Sequence, residues 1–412
     1  MEITNNTQLF SNKHLITAPN ISPSIIEKLC PDSTYNVSII RQSIPTLLIS
    51  LIGLTLTGEL FDSAMKMSIS RLYPILLLST CILAFKGNIE LIFGMHLSSV
   101  TQAPNMTSNK YAVYAIDNGC LVIAQSIIIG LTIGIVGTSK SIISDGFDTP
   151  LMIRIISSCI ISCLISSLII VAILIPAIWI TYGLGINPDN VVLPVLASFG
   201  DYFSIATLIY VTEKISTINH RTCLIPVFFV LTMLPIPVYV SLISPRRIPL
   251  QSATVLIATY SLSTASGGTL QFFSQKHPIL AAAAPVFCGL SGSTSYIYLN
   301  RLFTAIYNQT ILDRRESYIT LIFISLVTPT LYILISNFLF IKYSVPFSIL
   351  FIVFFVIDVV VLLKMVEYMM RLYRGATDPG VITLPLLTSA SDFIGILILI
   401  LIVEIIAYFG MQ

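Results

Sequence analysis

The chain has 412 residues, 55% of them hydrophobic and 10% charged, with a formal net charge of +2. Soluble domains carry about 25% charged residues, so a soluble globular protein is excluded, and with no basic patch the chain is not a nucleic-acid binder. The apolar residues fall in blocks of roughly 20 separated by short polar connectors, the pattern of helices crossing a ~30 Å hydrocarbon layer. A membrane β-barrel would show ~10-residue alternating segments instead. The fold class expected is therefore an all-α polytopic membrane protein, with the lipid bilayer as its solvent.

Residues 1–43 are polar, rich in Asn, Ser, Thr and Pro, and read as a disordered tail without a secretory signal. Sequons stand at Asn5, Asn20 and Asn36. Apolar blocks and turn signals then place helices near 44–63, 74–98, 117–138, 154–182, 190–212, 222–243, 251–272, 280–306, 318–341, 345–368 and 381–409, about eleven transmembrane helices. The seven cysteines form no CxxC pair and read as small packing residues.

The chain repeats itself. Residues 187–201 align without gaps to residues 378–392, with six of fifteen positions identical: Pro188/Pro379, Leu193/Leu384, Pro194/Pro385, Leu196/Leu387, Ser198/Ser389 and Asp201/Asp392. A weaker match pairs Lys86-Gly87-Asn88 with Ser291-Gly292-Ser293, followed nine residues after each glycine by His96 or Arg301. Two five-helix units follow, 44–215 and 249–412, joined by a linker helix within 216–248. Five crossings and one linker crossing start both units on the same side, so the repeats are parallel about an axis along the membrane normal, unlike the inverted repeats of many transporters. This pseudo-dimer within one chain lets a monomer build the whole pathway.

Basic connectors set the orientation. Arg246, Arg247, Arg314, Arg315, Lys364, Arg371 and Arg374 fall on one side, and only Lys276 and Lys342 on the other in the second half. The positive-inside rule puts the N-terminus in the cytoplasm, and the plasma membrane is the expected location.

Asp201 and Asp392 each lie about a dozen residues into an apolar segment, where a carboxylate costs about 2.5–3.5 kcal/mol on insertion scales. An Asp bonded to a neighbouring helix is the bland alternative, and recurrence at one repeat position favours function. Pro194, Ser198 and Asp201 share a helix face at i, i+4 and i+7, as do Pro385, Ser389 and Asp392. Each proline leaves a carbonyl one turn earlier without its donor, and such a carbonyl can face an ion. Carboxylate, hydroxyl and carbonyl are hard oxygen ligands that suit Mg²⁺ or Ca²⁺. Two carboxylates match one divalent charge, and Mg²⁺, which dehydrates reluctantly, is expected to be held partly through water. Protons should compete for such a pair, weakening transport in acid.

Gly87, Asn88 and Glu90 interrupt the second helix with polar groups. Gly87 permits a close approach or a break, Asn88 offers a carbonyl and Glu90 a carboxylate. An intrahelical Lys86–Glu90 ion pair at i,i+4 is the equal alternative. Ser293 stands opposite Asn88 in the second unit, while Glu59, Asp62 and Asp358 are acidic residues without an acidic counterpart.

These motifs carry a resemblance. The chain resembles the MgtE-type magnesium transporters and, more closely, their eukaryotic relatives in solute carrier family forty-one, which fuse two MgtE-like membrane units. The resemblance spans residues 44–409 and rests on Pro188-Asp189-Asn190…Pro194…Ser198-Phe199-Gly200-Asp201, on Asp378-Pro379…Pro385…Ser389…Asp392, and on Lys86-Gly87-Asn88-Ile89-Glu90. It implies that Asp201 and Asp392 line the ion pathway and that Gly87 and Asn88 belong to the family's Gly-Asn motif. The second unit departs from it with Ser293 in place of Asn, and the first with His96 in place of Arg.

The function expected is transport of divalent cations, most directly Mg²⁺ as substrate rather than cofactor. The alternative is a carrier of another divalent metal or a small solute, coupled to Na⁺ or H⁺. An intramembrane hydrolase is the remaining class, and no HExxH or GxSxG motif supports an enzyme.

Overall fold

A computed structural model describes residues 37–67, 73–103, 106–243, 248, 253–307, 314–339, 343–373, 376 and 378–409. The described secondary structure is helical: α1 Val37–Lys66, α2 Ile75–Thr101, α3 Ser108–Asp145, α4 Thr149–Gly183, α5 Pro188–Thr217, α6 His220–Met233, α7 Pro235–Ile243, α8 Ala253–Ser274, α9 Ile279–Tyr307, α10 Arg314–Leu339, α11 Val345–Leu372 and α12 Pro379–Tyr408. Every expected helix is present. The first begins inside the segment read as a tail, at Val37, while residues 1–36 with the three sequon asparagines and Cys30, and also Arg246, Arg247, Lys342 and Arg374, lie outside the described residues.

The linker differs from the single helix expected over 222–243. It breaks at Leu234 into α6 and α7, because Pro235 has no N–H to donate into the preceding turn. Ten helical stretches of the described residues are long and apolar enough to cross a membrane, α6 and α7 together forming one of them. The remaining helix, α8, is rich in Ser, Thr and Gly, yet its 22 residues span about 33 Å, enough for the layer. The outer surface is apolar, with Ile52, Ile143, Phe228, Ile257, Leu334 and Phe338 exposed. An apolar belt of this extent fits lipid and not water.

The helix pairing is reciprocal. Within the units, α1 packs on α5 and α8 on α12. Between them, α1 packs on α9 and α8 on α2, while α5 meets α9 and α12 meets α2. This is the pattern that a twofold relation between two five-helix units requires, and it gives α8 the place that α1 holds in the first unit. Small residues bring the crossings close. A Cβ at Gly58 of α1 would lie 2.3 Å from the Ala282 carbonyl oxygen of α9, and one at Gly267 of α8 would lie 2.0 Å from Thr80 Oγ1 of α2. The linker helices α6 and α7 lie against α4 and α3, on the outside of the first unit.

Candidate cation site

The motif that opens α5 and α12 is a helix start. Pro188 and Pro379 take the first turn, where a missing N–H costs nothing. Asn187 Oδ1 accepts from the Asp189 N–H at 2.9 Å, and Asp378 Oδ1 accepts from Gly380 N–H at 3.0 Å. From these caps to Asp201 and Asp392 is thirteen residues past each proline (201 − 188; 392 − 379), about 20 Å of helix and well inside the layer.

Both aspartates line one cavity of about 90 Å³ enclosed by α1, α2, α5, α8, α9 and α12. Both are half-buried. Asn88, Glu90, Ser198 and Ser293 line the same cavity, as does Gly87, where a Cβ would meet nothing within 4 Å. The α2 helix runs unbroken through Gly87, so this glycine opens space rather than interrupting the helix. At the equivalent Gly292 the Tyr296 hydroxyl, 2.9 Å from a Cβ position, fills that space.

Other expected ligands lie elsewhere. Ser389 is fully buried, donates to the Pro385 carbonyl at 2.9 Å and faces Ser263 of α8. Pro194 and Pro385 are buried in their helices and do not reach the cavity. The i, i+4, i+7 stripe therefore delivers Ser198 and Asp201 in α5 but only Asp392 in α12. Its place there is taken by Thr388, which lines the cavity and donates to Asn88 Oδ1 across the two units. Glu59 is exposed near the end of α1, and Asp62 pairs with Lys66, both away from the cavity.

The Lys86–Glu90 pair is made, at 2.7 Å. Glu90 also accepts from Ser167 Oγ at 2.9 Å, and the fully buried Lys86 donates to Ser204 Oγ at 2.9 Å. Glu90 thus reaches the cavity already neutralised. Asp201 feels the charges of Asp392, Lys86 and Glu90, a set of three carboxylates and one ammonium with a formal sum of −2. Among the described residues no three His, Cys, Asp or Glu side chains gather as a metal cluster, so any ion here relies on two free carboxylates and neutral oxygens.

A second polar group lies toward the N-termini of α5 and α12. Ser99 Oγ of α2 and Thr304 Oγ1 of α9 lie 3.0 Å apart. Asp189 accepts from Ser98 at 2.7 Å, Thr304 at 2.8 Å and Gln102 at 3.2 Å. His96 Nε2 stands 3.0 Å from Asp378, and Arg301 donates to Asn190 at 3.3 Å. Asp189 lay in the repeat motif without a role, and the sign of one was its unequal counterpart, Gly380. A Cβ on Gly380 would lie 2.7 Å from Phe303, the residue equivalent to Ser98. One unit bonds Asp to Ser where the other packs Phe over Gly.

The divalent cation transporter family MgtE matches residues 79–211 and 284–402, segments that hold Asp201 and Asp392 respectively. The chain is 23% identical to solute carrier family 41 member 2 of Mus musculus over 90% of this chain and 71% of that protein. It is 24% identical to the Xenopus laevis member 2 over 87% and 70%, and 22% identical to the Rattus norvegicus member 3 over 66% and 61%. No solved structure matches the chain. With one matched segment in each five-helix unit, the chain belongs to the MgtE family of divalent cation transporters.

Proposed function

We propose that this protein moves Mg²⁺ across a membrane through the central cavity, with Asp201 and Asp392 as the paired carboxylates. The observation that carries this reading is that two repeat-equivalent aspartates line one cavity. Its other polar lining, from Asn88, Ser198, Ser293 and Thr388, is oxygen-rich and matches a hard cation. The formal −2 around Asp201 balances one divalent charge. A cavity of about 90 Å³ also has room for several waters, each needing about 10–15 Å³, so the ion keeps part of its shell.

The units 44–215 and 249–412 then act as the two sides of one pathway. Arg314 and Arg315 are exposed at the start of α10, and Arg371 at the end of α11, on the side of the N-terminus. Positive charge favours the cytoplasm. In that orientation the Ser99–Thr304 contact closes the cytoplasmic side, and the cavity lies toward the other face.

The test is Mg²⁺ flux into liposomes holding the purified protein, followed with an enclosed magnesium dye. Uptake well above empty liposomes, inhibited by other hard divalent ions, is expected. Uptake no faster than the lipid leak would refute the reading.

A further inference from the structure

Asp358 lies midway along α11, fully buried, and neither carboxyl oxygen has a hydrogen-bond partner. It does not line the central cavity. An isolated carboxyl in such surroundings is tolerated as the neutral acid or beside a cation.

The groups facing it from each packed helix are few. From α9, the Ser291 hydroxyl faces the carboxyl without reaching hydrogen-bond geometry, and the Cys288 thiol interacts with both Asp358 and Asp392 of α12. From α10, whose charged residues are confined to Arg314, Arg315 and Glu316 at its start, Tyr332 packs on Phe351, two turns from Asp358, and is hydrogen-bonded to Tyr343. Along α11 itself, Lys364 and Glu367 pair with each other at 3.6 Å, and Glu367 accepts from Tyr298. None of these is a cation facing Asp358.

A line of oxygens runs from Asp358 to the cavity wall. Ser291 Oγ lies 3.4 Å from Ser391 Oγ, and each donates to the Cys288 carbonyl at 3.3 Å. Ser391 directly precedes Asp392, and Cys288 lines the cavity.

The repeat shows that this acid is a departure. Sliding the buried face of α11 onto that of α4 puts Phe351 on Cys159, Phe355 on Cys163, Leu362 on Ile170 and Met370 on Ile178. Asp358 then falls on Ser166, beside the Ser167 that bonds Glu90. In the first unit α2 carries Lys86 and Glu90 and α4 carries serines. In the second, α9 carries Ser291 and Ser295 and α11 carries the acid, with no lysine to neutralise it.

We propose that Asp358 is a proton-binding site through which cation transport is coupled to proton movement. In this conformation the carboxyl holds its proton as the neutral acid. It releases that proton along Ser291 and Ser391 to water only when the α9–α11 interface is wetted, leaving a carboxylate that water solvates. Each serine gives up its own hydroxyl proton as it takes the incoming one, so both hydroxyls end unchanged. The carboxylate then takes a new proton from water on the face toward which the cation leaves, and one proton moves against each passage of the cation. The coupling rests on the transport reading above, while the bound proton does not.

Two measurements separate these. In nanodiscs, the carbonyl stretch of a protonated carboxylic acid should persist in Asp201→Asn/Asp392→Asn and vanish when Asp358→Asn is added. Persistence of that band in the triple variant overturns the proposal whatever the protein transports. In liposomes with a pH dye, wild-type Mg²⁺ flux should carry protons, and Asp358→Asn should lower protons moved per Mg²⁺ at least about tenfold. Asp358→Ser, which copies Ser166, should do the same if the amide disturbs folding. Wild-type Mg²⁺ flux without proton movement, or an unchanged ratio in both variants, overturns the coupling and leaves the Mg²⁺ reading standing.

Discussion

Ser99 Oγ and Thr304 Oγ1 lie 3.0 Å apart, and each stands twelve residues past the glycine of its own repeat (99 − 87; 304 − 292). Equivalent residues touch each other only on the symmetry axis. The axis therefore passes between these hydroxyls, and the same relation carries Asp201 onto Asp392 across the cavity. The hydroxyl contact and the proposed binding pair thus lie on a single line through the molecule.

A pair of cysteines at these two positions should close that line reversibly. Ser99→Cys/Thr304→Cys should cross-link on oxidation, and Mg²⁺ uptake should stop and then return with a reductant. Thiol labelling before and after oxidation measures the cross-link beside the flux. Full transport by cross-linked protein would show that the pathway does not run between α2 and α9.

The ion pair inside α2 makes a sharper prediction about stability. Lys86→Met leaves Glu90 buried without its cation, and breaking a buried pair costs about 3–5 kcal/mol. Lys86→Ser/Glu90→Ser instead copies Ser291 and Ser295 of the second unit, which packs without charge. Thermal unfolding in detergent should show a large drop for the single variant and recovery of most of it in the double. Equal losses in both would mean that the pair has a role beyond compensating itself.

Two glycines should respond oppositely to one added methyl. At Gly58 the new Cβ would press on the Ala282 backbone carbonyl at 2.3 Å, and overpacking typically costs about 1–3 kcal/mol. At Gly87 the Cβ meets nothing within 4 Å and enters the cavity. Gly58→Ala should lower the melting temperature, while Gly87→Ala should melt as wild type and transport more slowly. Comparing melting and initial uptake rate in the same preparations decides it.

Acid should weaken transport. On the proposed reading Mg²⁺ is held by Asp201 and Asp392 ionised, and protons compete for two carboxylates that share a cavity and repel one another. Uptake measured at fixed Mg²⁺ should fall as the pH drops from neutral, and raising Mg²⁺ should restore it. A flat profile would place the ion on neutral oxygens instead.

The helices and the repeat were legible because their signals are strong and local. Apolar blocks bounded by Pro, Gly and polar residues located each helix, while the starts of α5 and α12 at Pro188 and Pro379 fall two residues ahead of the expected 190 and 381. The meeting of Asp201 and Asp392 in one cavity followed from repeat position and crossing parity. What stayed hidden depended on helix rotation and on contacts between units. Ser389 and Thr388 are neighbours in sequence, and which of them faces the cavity is set by how α12 packs on α8 and α2. The reach of Asp189 to Thr304 joins residues 115 apart, and no periodicity reports it. Gly87 reads in sequence as a close approach or a break and is neither: the helix is continuous and a Cβ there would meet nothing within 4 Å.

On the proposed reading Asp201 and Asp392 together hold one divalent cation. Calorimetric titration of Mg²⁺ into purified wild type, Asp201→Asn, Asp392→Asn and the double variant measures this. One Mg²⁺ per chain is expected in the wild type, with binding at least about tenfold weaker in each single variant and none in the double. Wild-type affinity retained in both single variants would contradict it.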